Sequence, residues 1–128
     1  MQRKFILAGS ILMMIAVILG AMAAHALKEV LDADQINSFE TAVRYQVYHA
    51  LVLLIISQIN FLDLKSKKLV FYGFMGGILL FSGSIYLLVL APLADLDLKF
   101  LGPITPVGGL ALIATWFYVV VKTLRYKP

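Results

Sequence analysis

The chain has 128 residues, of which 62% are hydrophobic and 14% charged, with a net charge of +4. Soluble domains are about half apolar and a quarter charged, so this is the composition of a membrane protein. The absence of cysteine excludes disulfides, thiol chemistry, iron–sulfur clusters and cysteine-based zinc sites.

The first apolar stretch runs from Phe5 to about Leu27. Arg3, Lys4 and the small-residue site Ala21-Met22-Ala23 also fit a secretory signal. The apolar run continues past that site and is long enough to span, so we read a transmembrane helix, with small residues Ala16, Gly20 and Ala24 at four-residue intervals.

A second span is read over 37–61. Asp34 and Asn37 are its candidate N-caps, and Asn37 with Glu40 three residues later has the form of a capping box. At 100° per residue, Glu40, Thr41, Arg44, Tyr45, Tyr48 and His49 fall in one half of the helix. Phe39, Val43, Val47, Ala50 and Leu54 fall in the other, with Gln46 near the border on the apolar side. The polar half is expected to face the interior and the apolar half to face lipid or a second subunit. Glu40 and Arg44 have the spacing of an intrahelical ion pair, and each is expected to depend on the other. If hydrocarbon begins near Thr41, His49 lies roughly 12 Å deeper at 1.5 Å per residue.

The third span is read over 69–91 and carries Gly73, Gly77 and Gly83; Ala91-Pro92 ends it. The fourth is read over 106–121, with Thr105 as N-cap and Pro106 as first helical residue. It carries Gly108, Gly109, Ala111 and Thr115. Small residues at these intervals let helix backbones approach closely. Trp116 sits too deep for an interfacial anchor and is expected to pack in the bundle or at a subunit contact.

The chain thus reads as one all-α integral membrane domain over 1–128, with four transmembrane helices. Strands are excluded because the apolar runs are continuous and lack the alternation of a membrane barrel. Arg3, Lys4, Lys65, Lys67, Lys68, Lys122, Arg125 and Lys127 fall on one side. Only Lys28 and Lys99 fall on the other, so both termini are placed in the cytoplasm. The basic residues cluster at span ends, where lipid headgroups act on them, so the partners expected are membrane lipids and not nucleic acid.

His25, Glu40, Arg44, Tyr45, Gln46, Tyr48 and His49 form the candidate polar cluster or ligand site. One reading makes them packing groups that fix helix register. The other makes them a proton or ligand site, because ionisable groups inside a membrane are functional candidates by default. His25 and His49 differ in depth and no carboxylate completes a shell, so neither a metal nor a haem is expected.

The stretches GAMAAHALK, FETAVRYQVYHALVLL, LLFSGSIYLLVL and LGPITPVGGLALIATW resemble, in order, the motifs of the YgdD/transmembrane-protein-256-like family, long catalogued as a domain of unknown function. Thr115 departs from that pattern, which more often has glycine there. The resemblance implies a multi-pass protein of the bacterial cytoplasmic membrane. It supplies no catalytic residue, substrate or cofactor. A non-enzymatic structural or membrane-homeostasis component is therefore expected, self-associating through the glycine stripes. The alternatives are a small transporter or proton-coupled channel using Glu40, Arg44 and His49, and a membrane redox or enzyme subunit.

Overall fold

A computed structural model describes residues 1–127. Among them the chain is all helix and turn. Helix α1 covers Gln2–Ala24 and is followed by a short 3-10 turn, Ala26–Glu29. Helix α2 covers Ala33–Ile56. Helix α3, Leu64–Ile78, runs through a π-helical segment, Leu79–Gly83, into α4, Ser84–Leu90. A 3-10 turn at Ala91–Ala94 ends at Asp95, whose left-handed φ of 55° breaks the helix. After a further turn at Lys99–Leu101, α5 covers Ile104–Arg125.

The runs Gln2–Glu29, Leu64–Ala94 and Lys99–Arg125 are long and apolar enough to cross a membrane. Helix α2 is not among them, because Glu40, Arg44, Gln46 and His49 interrupt its apolar character.

Two helix starts differ from the sequence reading. The capping box of α2 is Asp32 with Gln35, not Asn37 with Glu40. The Asp32 carboxylate accepts the Gln35 N–H at 2.8 Å, and the Gln35 side chain accepts the Asp32 N–H at 2.9 Å. Helix α5 starts at Ile104 with Pro103 as its N-cap, so Thr105 is helical and its hydroxyl is directed elsewhere.

Helix α1 pairs antiparallel with α2. A Cβ on Gly9 would meet the Ala50 carbonyl at 2.9 Å, and one on Gly20 would meet Val43 at 3.6 Å. Helix α3 pairs antiparallel with α5 in the same manner. A Cβ on Gly73 would collide with the Thr115 hydroxyl, and one on Gly77 would meet Leu112 Cδ2 at 2.5 Å. Thr115 thus supplies the bulk that its glycine partner leaves out. Gly108 lies against the backbone of Leu80 and Phe81 in the π segment.

Three of the expected packing positions are different. Ala24 is exposed, and its neighbour Ala23 is fully buried instead. A side chain on Gly83 would meet nothing within 4 Å, and one on Gly109 would meet only the Phe81 ring at 3.7 Å. The π segment inserts one extra residue per turn, which shifts the register on which the Gly83 assignment rested.

The core has two apolar layers. One gathers Phe5, Leu53, Ile56, Val70, Phe74 and Leu112, and the other gathers Ala23, Leu27, Leu31, Phe39 and Val89. Along α2 the layers are separated by Ala42, Gln46 and His49.

The basic residues collect at one end. Gln2 bonds Gln58 at 3.4 Å, the Phe61 and Tyr126 rings stack at 5.0 Å, and Lys122 pairs with Asp63 at 3.6 Å. Asp63 also caps α3, accepting the Ser66 N–H at 2.7 Å. That backbone hydrogen bond, aided by the Ser66 side chain and then by Lys122, holds its carboxyl below the ordinary range. A depressed carboxyl stabilises the fold above its unfolded pKa and loses that contribution as pH falls through the folded value. Thermal unfolding in detergent is therefore expected to weaken below about pH 4, the ordinary aspartate range. The Asp63→Asn variant should lose that part of the acid dependence, so that its difference from the wild type, present at pH 7, shrinks as the pH falls from about 4 to about 2.

Candidate functional site

The helix that carries most of the polar candidates presents them in two directions. Glu40, Arg44 and Tyr48, spaced by four, lie on the outside, with Tyr48 53% exposed. Phe39, Ala42, Gln46, His49, Ala50 and Leu53 are buried. The expected orientation of α2 is therefore overturned. Phe39 and Ala50, assigned to the lipid side, face the core, while the Glu40–Arg44 stripe faces outward. For Glu40 and Arg44 the physical reason is their place near the helix end, where charged groups can reach headgroups and water and need no interior partner; Tyr48 follows them on the same outward stripe one turn further in.

The Glu40–Arg44 pair has the expected spacing but is loose, at 3.9 Å with side chains 44% and 48% exposed, respectively. Arg44 donates a closer hydrogen bond to Thr41 Oγ1 at 2.9 Å. A pair so exposed contributes at most about 1 kcal/mol. Glu40→Gln, Arg44→Gln and the double variant are therefore expected to give nearly additive thermostability changes, with a coupling below about 1 kcal/mol.

His25 closes α1 at the same end as Glu40, opposite the basic end, its Nδ1 3.1 Å from the Ala21 carbonyl. It shares no partner with His49. Among the described residues, no three His, Cys, Asp or Glu side chains form a group able to hold a metal ion.

The buried polar groups link helices. Gln46, 3% exposed, donates through Nε2 to the Leu12 carbonyl of α1 at 2.8 Å. Its Oε1 accepts the Tyr86 hydroxyl of α4 at 2.8 Å. Ser82 in the π segment donates to the Ala42 carbonyl at 2.7 Å. The Ser84 and Thr105 hydroxyls meet at 2.5 Å and join α4 to α5. At the basic end itself, beside Asp63, the Ser66 and Tyr118 hydroxyls meet at 2.9 Å. Every buried side-chain nitrogen and oxygen among the described residues has a hydrogen-bond partner.

His49 completes the set. Its Nδ1 lies 2.8 Å from the Tyr45 carbonyl, which can only accept, so Nδ1 carries the proton. Its Nε2 is then free to accept Trp116 Nε1–H at 3.2 Å. Trp116 also packs edge-on against Phe74 at 5.1 Å. It therefore packs against the other helices on one side and is 41% exposed on the other. A crevice of about 280 Å³ opens beside this pair, lined by Tyr45, Phe81, Gly109 and Leu112. Its only buried polar group is the imidazole, and both ring nitrogens already have partners.

Seven members of this network, Ser66, Ser82, Ser84, Tyr86, Thr105, Trp116 and Tyr118, lie outside the candidate set drawn from sequence. A signal for two of them was present: Ser82 and Ser84 flank Gly83 in a stretch that is otherwise apolar. Nothing local marks Tyr86 or Trp116 as the partner of a residue on α2.

Residues 19–109 match the family described as a protein of unknown function, DUF423. The chain belongs to the DUF423 family. Over 98% of both chains it is 36% identical to a UPF0382 membrane protein of Staphylococcus aureus. It is 35% identical to the UPF0382 membrane protein YwdK of Bacillus subtilis, over 98% of this chain and 99% of that one. A UPF0382 membrane protein of Haemophilus influenzae is 30% identical over 99% and 98%. No solved structure matches. This DUF423 chain is thus a bacterial membrane protein, and its family has no assigned molecular function.

Proposed function

We propose that this DUF423 protein is a structural component of the bacterial cytoplasmic membrane whose interior polar residues tie its helices together. The observation that carries this reading is the pairing of Gln46 with both α1 and α4 between the two apolar core layers. In a bilayer, association of helices gains little from the hydrophobic effect, so close packing and interhelical hydrogen bonds set their arrangement. The transporter alternative needs Glu40, Arg44 and His49 on one path. Glu40 and Arg44 face outward, whereas His49 is turned to Tyr45 and Trp116.

All four helical rods then cross the membrane, α2 included. Its support is geometric: α2 lies antiparallel to α1 and is covered by α4, so Gln46 and His49, its deeper polar groups, are buried against neighbours, while Glu40 and Arg44 lie near its end. The basic end lies in the cytoplasm under the positive-inside rule, with both termini there. The four sequence motifs support placing the protein with the YgdD/transmembrane-protein-256-like group within this family. Self-association, if mediated by glycine, falls to Gly76 and Gly83, whose outer sides are open, since Gly73 and Gly77 are occupied within the chain.

Labelling decides the topology. A cysteine at Lys67 is expected to resist an impermeant thiol reagent in intact cells and to react after permeabilisation. Labelling in intact cells would reverse the orientation.

A further inference from the structure

The basic end carries Arg3, Lys4, Lys65, Lys67, Lys68, Lys122, Arg125 and Lys127 against a single acid, Asp63, which Lys122 already engages. Neither Lys4 nor Lys68 forms an ion pair among the described residues. Directly below them, α1 and α3 leave a groove of about 290 Å³ lined by Leu7, Ala8 and Ile11 on one side and Phe71 and Met75 on the other, with Lys4 at its mouth. Its floor is closed where Phe5 meets Phe71 edge-on at 5.1 Å.

The sequence spacing aligns the charges with the groove. Lys4 precedes Leu7, Ala8 and Ile11 by three, four and seven residues, the intervals of one helix face. Lys68 precedes Phe71 and Met75 by three and seven, on the facing helix. The feature is therefore an apolar groove headed by Lys4, with Lys68 one helical turn before Phe71 on the facing helix, and neither lysine is ion-paired among the described residues. At the other end of the fold the grooves mix both signs of charge, one Lys28 with Glu40 and another Lys99 with Asp95 and Asp97.

We propose that this groove holds one anionic phospholipid, with an acyl chain lying along Leu7, Ala8, Ile11, Phe71 and Met75 and the phosphate between Lys4 and Lys68. An acyl chain matches the apolar lining, and a phosphate diester supplies the negative charge that the two lysines lack. The proposal rests on reading the basic end as a headgroup-level surface of a membrane component.

Native mass spectrometry of the full chain, released from mild detergent after equilibration with equal phosphatidylglycerol and phosphatidylcholine, tests it. The wild type should retain phosphatidylglycerol preferentially. Lys4→Gln and Lys68→Gln should each lower that retention roughly fivefold and leave phosphatidylcholine unchanged. Ala8→Phe fills the groove and should lower retention of both lipids. Lys122→Gln with Arg125→Gln, at the same end but on α5, should retain the wild-type preference. The proposal is overturned if the wild type shows no preference, if both lysine variants keep it, or if the α5 variant loses as much, which would mean diffuse surface charge. It is also overturned if Ala8→Phe dissociates a dimer with lipid retention intact, since a second copy then fills the groove. Should Ala8→Phe fail to fold, the two surface lysine variants decide alone. Retention is read in detergent, so a reversed membrane orientation leaves this result standing, and loss of lipid preference leaves the topology standing.

Discussion

The Gly108→Ala variant is expected to lose about 3 kcal/mol or more, the upper end of the overpacking range. A Cβ there would enter the backbone of Leu80 and Phe81. Backbone atoms cannot rotate aside as a side-chain tip can, so α5 would have to move off the π segment. That movement would also strain the hydroxyl contact between Ser84 and Thr105. Gly76→Ala is the control. It lies inside α3 with nothing within 4 Å of the added atom, so in dilute, monomeric protein alanine should gain roughly 0.5–1 kcal/mol from backbone entropy. Thermal unfolding in one mild detergent compares them. Equal losses at both positions would mean that helix proximity is not what distinguishes these glycines.

The Gln46→Leu variant is expected to lose about 1–3 kcal/mol. Interhelical hydrogen bonds in membranes average about 0.6 kcal/mol and reach about 1.7, and Gln46 makes two of them. The substitution also strands the half-buried Tyr86 hydroxyl beside an apolar side chain, which adds a desolvation cost. Tyr48→Phe on the same helix should change stability by less than about 0.5 kcal/mol, because its hydroxyl lies on the exposed side. The contrast separates a buried tie from an outward polar residue half a turn away.

How much of this was legible in the sequence depends on the physics that fixes each feature. Apolar run length marks three of the helices, because a helix crossing lipid must be long and apolar whatever it packs against. The glycines at 73, 77 and 108 were legible for a similar reason: only small residues admit a close backbone approach. The sidedness of α2 was not. The polar residues on its helical wheel read as one inward face, yet Glu40, Arg44 and Tyr48 lie outside while His49 is buried. Gln46, placed with the apolar half, is the best-connected polar side chain in the core.

Partners far apart in the chain were also hidden. Trp116 and His49 are 67 residues apart, and nothing in either local pattern pairs them. The π segment is a third case. Its extra residue turns Ser82 toward α2 and Ser84 toward α5, and regular 3.6-residue periodicity cannot anticipate that shift. The capping box of α2 moved by only a few residues because Asp32 and Asn37 are both competent caps, and backbone geometry chose between them.

The central claim is that the polar residues within the helices hold the fold in register. The most direct measurement is a double-mutant cycle between Gln46→Leu and Tyr86→Phe, read by thermal unfolding in mild detergent. The account predicts a coupling of about 0.5–1.7 kcal/mol, with the double variant less destabilised than the sum of the two single variants. Strictly additive losses, with no coupling between α2 and α4 at this position, would contradict it.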